Sequence, residues 1–300
     1  MAPSFSDVIR RRGLDAGLDA VGIASAEPFD EALAVIEERK ERGLHGGMHF
    51  TYGRPARSTD PSRTLPDARS LVVGALSYHR SPPVDPGAGE ARVAAYQWEP
   101  HYDRLRAALD VVARALGDDG FDAVVLVDDN RLVDRAAAHR AGLGWFGKNT
   151  NLLLPESGSW FVLGSVLTNA PLDPDPGPVA DGCGTCTRCQ PACPTGALDT
   201  PGELDARRCL AWLVQADGVF PREHRVALGD RIYGCDDCQE VCPPNRVRAR
   251  RVPPPELTDR GRAVVDLVEL LRLDDDALME RFGEWYVPRR RPEYLRRKAL

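Results

Sequence analysis

The residues with the clearest chemistry are eight cysteines, which all lie between positions 183 and 242 of a 300-residue chain. The first four follow the pattern C-x2-C-x2-C-x3-C-P and are Cys183, Cys186, Cys189 and Cys193. The last three follow C-x2-C-x3-C-P and are Cys235, Cys238 and Cys242, and Cys209 stands 26 positions before them. Thiolates at such short spacings are typical ligands of iron–sulfur clusters or of zinc.

The first spacing is that of bacterial ferredoxins. There, three close thiolates bind one [4Fe–4S] cluster, and the fourth, which precedes proline, binds the other cluster. Applied to this chain, the crossing predicts a first ligand set of Cys183, Cys186, Cys189 and Cys242, and a second set of Cys193, Cys209, Cys235 and Cys238. The alternative is two zinc sites of four cysteines each, although zinc sites usually show two separated C-x2-4-C pairs.

Composition limits the class of protein. Hydrophobic residues make up 43% of the chain, which is enough for a substantial core, and the net charge of −6 argues against a chain built throughout for nucleic acid. No apolar stretch approaches the ~18 residues of a membrane span. The first residues contain no apolar segment of the signal-peptide type. We therefore expect a cytoplasmic protein without a membrane-spanning segment.

Hydrophobic periodicity predicts alternating strands and helices before the cysteines. The predicted strands are residues 20–24, 70–78, 123–127 and 159–167, and the predicted helices are 30–42, 102–116 and 132–141, with Asp30 as an N-cap and Gly43 as a stop. A Pro-rich segment at 171–181 predicts a boundary. The expected fold is α/β (α+β), with an N-terminal α/β domain at 1–172, a ferredoxin-like two-[4Fe–4S] domain at 173–250 and a short basic helical tail at 251–300.

A two-cluster ferredoxin needs little more than its cysteine runs, yet 182 residues precede Cys183. This excess predicts a second redox centre or a substrate pocket. The sequence contains no G-x-G-x-x-G after a strand, no P-loop and no C-x3-C-x2-C motif. The residues alone therefore indicate an iron–sulfur oxidoreductase with a large α/β partner domain.

Two segments resemble the epoxyqueuosine reductase family: LVDDNRLVDRAAAHRAGLGWFGKNT at 126–150 and GSWFVLG at 158–164. GLHGGM at 43–48 and AYQW at 95–98 also fit. The resemblance implies a cytoplasmic oxidoreductase with two [4Fe–4S] clusters and cobalamin, related to reductive dehalogenases. Such an enzyme reduces epoxyqueuosine to queuosine at the wobble position of tRNA. The cobalamin would lie between the N-terminal α/β domain and the cluster domain.

The resemblance also implies site residues. The family's proton donor is the aspartate of a V-D-T-G pattern, which is Asp128 here, with Asp129 and Asn130 in place of Thr-Gly. The residues expected to contact cobalamin are Tyr96, Asp128, Lys148, Asn149, Thr150, Ser159 and Gly164. For Tyr96, Ser159 and Gly164 the alternative is a role in packing.

Two departures from the family pattern bear on the partners. The family's D-Y-H is His101-Tyr102-Asp103 here, and the helical repeats that help the family to hold tRNA have no counterpart before Leu300. The basic clusters at 246–251 and 289–298 are therefore the expected contacts for the anticodon stem-loop of tRNA. An electron donor such as a flavodoxin or ferredoxin is also expected. The alternatives are a cobalamin-dependent reductase of a small molecule and a non-catalytic electron-transfer protein.

Overall fold

The structure is a computed structural model that describes residues 3–81, 85–257 and 259–299. In chain order the strands are β1 Ala20–Ser25, β2 Ser70–Ser77, β3 Glu90–Val93, β4 Ala123–Val127, β5 Trp145–Phe146, β6 Leu152–Leu153, β7 Phe161–Thr168, β8 Arg231–Tyr233 and β9 Val264–Asp266. The helices are α1 Phe5–Asp15, α2 Asp30–Glu41, α3 Pro55–Ser58, α4 His101–Asp118, α5 Asp134–Arg140, α6 Cys189–Ala192, α7 Leu210–Leu213, α8 Arg225–Leu228, α9 Asp237–Glu240, α10 Pro243–Arg251, α11 Leu267–Arg272, α12 Asp275–Phe282 and α13 Glu293–Ala299.

The main sheet has the strand order β1-β2-β7-β4, and every neighbouring pair is antiparallel. Alternate residues of the central strands point to opposite faces, and both faces are covered. Val72 and Val166 pack on one face with Leu109 of α4. Leu71 and Leu167 pack on the other face with residues of α2 and α5. The mixed helix-and-strand class and the four long predicted strands are confirmed, with ends that differ by at most two residues.

A second sheet, in the order β8-β3-β9, joins chain segments that are far apart in sequence. The strand β3 pairs in parallel with β8 and antiparallel with β9. It therefore connects the N-terminal part of the chain to the cysteine segment and to the residues that follow it. The predicted boundaries near 172 and 250 stay predictions, but residues 264–266 are an integral part of this sheet.

The ends of the three predicted helices differ from the prediction by no more than two residues. Asp30 is the first residue of α2 rather than its N-cap, and Phe29 takes the cap position without a capping side chain. The helix α5 begins at Asp134, two residues later than predicted, because a turn follows β4. Gly43 ends the α2 segment with φ +70°, as predicted. Among the described helices, none has both the length and the apolar character needed to cross a membrane.

Candidate active site and cluster centres

The eight cysteines are free thiols, and they lie in two groups. In the first group, Cys242 packs beside Cys183 and Trp145 in a small apolar cluster. Burial raises the pKa of Cys242 to about 12, with further contributions from Cys183, Cys189 and Cys186. Because thiolates raise one another's pKa only when they are near, these four cysteines form one set. Cys242, at the far end of the cysteine segment, thus joins the first run.

The second group brings together the remaining four cysteines. Burial raises the pKa of Cys238 well above its ordinary value, and Cys235, Cys209 and Cys193 add to the effect. The Thr195 hydroxyl donates to the carbonyl of the residue before Cys209 at 2.6 Å, which holds the turn after Cys193 against that position. This is the crossed grouping that the spacing predicts. Ligation by these sets stays a prediction.

Backbone N–H groups point at the sulfur atoms of the second group. The Ala197 N–H donates to Cys193 Sγ at 3.2 Å. Cys209 immediately precedes α7, and the N–H groups of Trp212 and Ala211 in the first turn of that helix oppose the rise that burial causes in the pKa of its thiol. Donors of this kind stabilise negative charge on sulfur, and hydrogen bonds to the sulfur atoms are one of the factors that set a cluster's reduction potential.

Asp128 follows the last residue of β4 and has φ +50°, in the left-handed region. Non-glycine residues in this region are uncommon and concentrate at functional sites. Burial raises the pKa of the Asp128 carboxyl, Asp129 adds to the rise, and Arg106 opposes it. Solvent reaches the side chain, which moderates the shift. By contrast, Asp129 pairs with Arg131 at 2.6 Å, and that hydrogen bond lowers its pKa.

Two tyrosines lie near enough to Asp128 to respond to its charge, and a third packs beside one of them. The rings of Tyr96 and Tyr233 have centroids 6.2 Å apart. Burial raises the pKa of Tyr102, and Asp128 and Asp134 raise it further. Burial also raises the pKa of Tyr233, to which Asp128 contributes. The structure therefore places Tyr102 and Tyr233 near Asp128 and Tyr96 beside Tyr233, and the predicted site role of Tyr96 stays a prediction.

Asp134 is a site residue that the sequence reasoning missed. It is the first residue of α5, and burial raises its pKa well above the ordinary value, with Asp128 as the next contributor. In the sequence it follows the apolar Leu132 and Val133 at the start of a predicted helix. An acidic residue there is the ordinary pattern of a helix N-terminus, so the sequence carried no separate signal for a site role.

Residues 148–150 lie between this site and the cysteines. Lys148 Nζ donates to the Gly184 carbonyl at 2.7 Å. Asn149 is 4% exposed, and its side-chain amide donates to the Cys238 carbonyl at 3.4 Å. The Thr150 carbonyl accepts from Arg135, the residue after Asp134, at 2.7 Å. This loop therefore contacts the segments of both cysteine groups and the helix that carries Asp134.

Ser159 belongs to a buried polar network between β7 and the cysteine segment. Its hydroxyl donates to Gln239 Oε1 at 2.8 Å, and its N–H donates to Asn245 Oδ1 at 2.7 Å. The Tyr78 hydroxyl donates to the same Gln239 oxygen at 3.2 Å. Buried polar groups need such partners. The structure thus gives Ser159 an interface role, and its predicted contact with cobalamin stays a prediction.

Gly164 lies within β7, where the sheet meets α4. A Cβ atom at this position would be 2.8 Å from Val127 Cγ2 and 2.9 Å from Leu109 Cδ1. Real Cβ atoms do not approach so closely, so the absence of a side chain permits the close packing of helix and sheet. The packing alternative therefore has a direct structural basis, and a cobalamin contact stays a prediction here as well.

The basic segment at 289–298 is largely engaged within the chain. Arg289 pairs with Asp217 at 2.6 Å and Arg296 pairs with Asp275 at 2.5 Å. Lys298 is 8% exposed. Arg289, Arg290 and Arg291 nevertheless remain exposed, so the expected contact of this segment with tRNA stays a prediction. In α10, by contrast, the exposed residues Arg246 and Arg250 have no ion-pair partner among the described residues.

Comparison with known proteins defines the class. Residues 182–245 match the model of a 4Fe-4S double cluster binding domain. Among the described residues, no three Cys, His, Asp or Glu side chains are placed as ligands of a single metal ion. The match confirms the prediction of a double-cluster segment over the zinc alternative. The chain is an iron–sulfur protein with an N-terminal helix-and-sheet partner.

The chain belongs to the epoxyqueuosine reductase family. It is 38% identical over 239 residues to the epoxyqueuosine reductase of Bacillus cereus, a match that covers 77% of this chain and 62% of that protein. It therefore spans less than two thirds of that relative. A crystal structure of epoxyqueuosine reductase with an epoxyqueuosine-modified tRNA-Tyr stem loop shares 34% identity, with a TM-score of 0.88. That likeness covers 97% of this chain and 79% of the solved chain.

The resemblance to reductive dehalogenases is confirmed at the level of the fold. The catabolic reductive dehalogenase NpRdhA is 18% identical, with a TM-score of 0.55 over 98% of this chain and 37% of that chain. The core described above is therefore a shared scaffold. Fold likeness at this identity does not transfer a substrate.

Proposed function

We propose that this chain reduces epoxyqueuosine to queuosine at the wobble position of tRNA. The observation that carries the proposal is Asp128, a carboxyl of raised pKa held at a left-handed strand end near Tyr102 and Tyr233. It lies in the motif by which the sequence resembles the family. The likeness to a relative solved with an epoxyqueuosine-modified tRNA stem loop supports this substrate.

Two [4Fe–4S] clusters and cobalamin are the proposed cofactors. Each cysteine group offers four thiols, which is the donor set of one such cluster. The loop of Lys148, Asn149 and Thr150 fits a position between the clusters and the site, because it contacts both. Its amide, hydroxyl and ammonium groups, with Tyr96, would bind the polar edge of a corrin ring. Cobalamin, when bound, supplies the strongly reducing centre that the clusters recharge one electron at a time.

Reduction of an epoxide to an alkene consumes two electrons and two protons and releases water. In the proposed mechanism, Asp128 holds a proton on its carboxyl and donates it to the departing oxygen, and the second proton comes from solvent. Asp129 is paired with Arg131 and so does not compete with Asp128 as the proton donor. Arg106 donates to the Val127 carbonyl at 2.9 Å, which fixes the strand end that carries Asp128.

The proposed partners follow from this chemistry. The substrate is the anticodon stem-loop of tRNA, and a tRNA substrate places the reaction in the cytoplasm. The electrons come from a one-electron carrier such as a flavodoxin or ferredoxin. The alternative activity is reduction of a small molecule, which Asp129 and Asn130 favour because they replace the family's Thr-Gly next to the proposed acid.

The proposal is tested by anaerobic incubation of the reconstituted protein with cobalamin, a strong reductant and epoxyqueuosine-containing tRNA, followed by nucleoside analysis. We expect conversion to queuosine. Stoichiometric corrinoid binding without conversion would transfer support to the small-molecule reductase. Absence of corrinoid binding would instead support a non-catalytic electron-transfer protein.

The exposed arginines of α10 are expected to contribute more to tRNA binding than those of the C-terminal segment. Arg246→Ala with Arg250→Ala should weaken binding and reduce the log–log salt slope by about 0.7–0.9 for each lost phosphate contact. The matched control is Arg291→Ala with Arg296→Ala, which removes the same charge from residues already paired with Glu293 and Asp275. A larger loss of affinity in the control would show that the C-terminal segment binds the RNA.

A further inference from the structure

The helix α13 contacts the segment that follows Cys209. The Arg297 guanidinium donates to the carbonyls of Val214 at 3.1 Å and Ala216 at 2.9 Å, and it also donates to the Gly218 carbonyl. The carbonyls at the end of α7 have no partner within the helix. A planar guanidinium with several N–H donors suits such a convergent set of oxygens. Arg297 therefore closes the C-terminal end of α7.

The opposite end of α7 holds Cys209. The first turn of this helix starts at that residue, because the Trp212 and Leu213 N–H groups donate to the Cys209 carbonyl at 3.0 and 2.9 Å. Since α7 spans only Leu210–Leu213, the sulfur and the guanidinium occupy the two ends of a single helical turn. A displacement at the Arg297 end is therefore transmitted directly to the Cys209 end.

Further contacts of the same C-terminal segment secure this geometry. Asp217 pairs with Arg289 at 2.6 Å and accepts a hydrogen bond from the Tyr294 hydroxyl. The Arg297 guanidinium also lies over the Tyr294 ring, 5.1 Å from its centroid. The residues after α7 are thus held from two sides by residues 289–297.

Lys298 contacts β8, which is the second segment that leads to this cysteine group. Its ammonium is buried without a hydrogen-bond partner among the described residues. It lies 4.5 Å from the centroid of the Tyr233 ring and 5.4 Å from that of Trp285. Tyr233 is two residues before Cys235. A cation over aromatic rings is attracted to their faces, so Lys298 fixes β8 as Arg297 fixes α7.

We propose that Arg297, supported by Lys298, is a positioning residue for the second cluster, acting through the segments that carry Cys209 and Cys235. This inference rests on the proposed ligand set. Two cations on neighbouring residues of one helix face the two segments that supply these cysteines. Fixed sulfur positions retain the cluster, and nearby buried positive charge favours its reduced, more negative state.

The test is a redox titration of the reconstituted full chain, followed by electron paramagnetic resonance and iron analysis. Arg297→Met should shift the second cluster to a lower potential, or remove up to half of the iron, and leave the first cluster unchanged. Arg296→Met is the matched control, because Arg296 pairs with Asp275 and donates to the Leu273 carbonyl, and both partners lie outside the segments that carry Cys209 and Cys235. Unchanged potentials and iron in Arg297→Met would overturn the proposal.

Two further variants keep the test decisive. Arg297→Lys retains the charge and loses the forked geometry, so it should restore the potential in part if Arg297→Met is altered. If Arg297→Met does not fold, an unaltered second cluster in Arg297→Lys overturns the proposal. Cys209→Ala provides the reference spectrum and iron content for loss of the second cluster. If Cys209→Ala keeps both clusters, the ligand set itself is wrong, which separates that failure from failure of the positioning role.

Discussion

Asp128→Asn should lose most turnover and keep the fold, both clusters and bound cobalamin. Asparagine has nearly the same shape but no acidic proton, and a positioned general acid contributes about 10²–10⁴-fold to rate. The left-handed backbone at Asp128 does not oppose the change, because Asn and Asp are the non-glycine residues that adopt it most readily. The measurement is single-turnover formation of queuosine, with iron content and corrinoid binding determined on the same samples.

Asp129→Asn is the internal control. Asp129 is held by Arg131 through hydrogen bonds at 2.6 and 3.0 Å, which lower its pKa and keep it ionised. Its replacement should therefore have a mild effect on rate. If the two variants show the reverse order of severity, Asp129 is the acid. Full activity in both variants would mean that another group, with Tyr96 the next candidate, delivers the proton.

The raised pKa of Asp128 predicts a pH dependence of the chemical step. Burial favours the neutral carboxyl, and a general acid must be protonated to act. The rate should therefore be maintained at low pH and fall as the pH rises through the pKa of Asp128. The Asp128→Asn variant should not show this fall in rate with rising pH. If the variant shows the same fall, another group is responsible for it.

The sequence predicted the main sheet well because its central strands are apolar along their length. Residues 70–78 and 159–167 were recognised as strands, and they form the buried antiparallel pair β2 and β7. The second sheet was not predicted. Its strands β3, β8 and β9 have three or four residues each and pair across more than 100 positions. Local periodicity carries little information about such short, distant pairings.

The sequence predicted only part of the site, because local patterns do not show which distant residues the fold brings together. Spacing and proline position were sufficient to divide the cysteines, since these features act locally. The motif identified Asp128, but Tyr102, Tyr233 and Asp134 come from three separate elements that only the fold brings together. The basic C-terminal residues are a second example of this limit. Their charge was visible in the sequence, but the acidic partners Asp217 and Asp275 were not identifiable without the structure.

Cys193→Ala should disrupt the second cluster, although Cys193 belongs to the first cysteine run. Its thiol is grouped with Cys209, Cys235 and Cys238. The crossed arrangement also follows from the proline after it, since that turn directs the fourth cysteine to the other cluster. Iron and sulfide should fall from about eight to about four of each per chain, with the spectroscopic signal of the first cluster retained.

Cys186→Ala is the matched control for this prediction, because it lies in the same run and is grouped with Cys242. It should remove the first cluster and leave the second. The two variants therefore differ by seven positions in sequence but should have opposite effects on the two signals. Loss of the first cluster alone in Cys193→Ala would contradict the crossed ligation. Each cysteine run would then serve its own cluster, and Cys209 would complete the second set with Cys242 instead of Cys193.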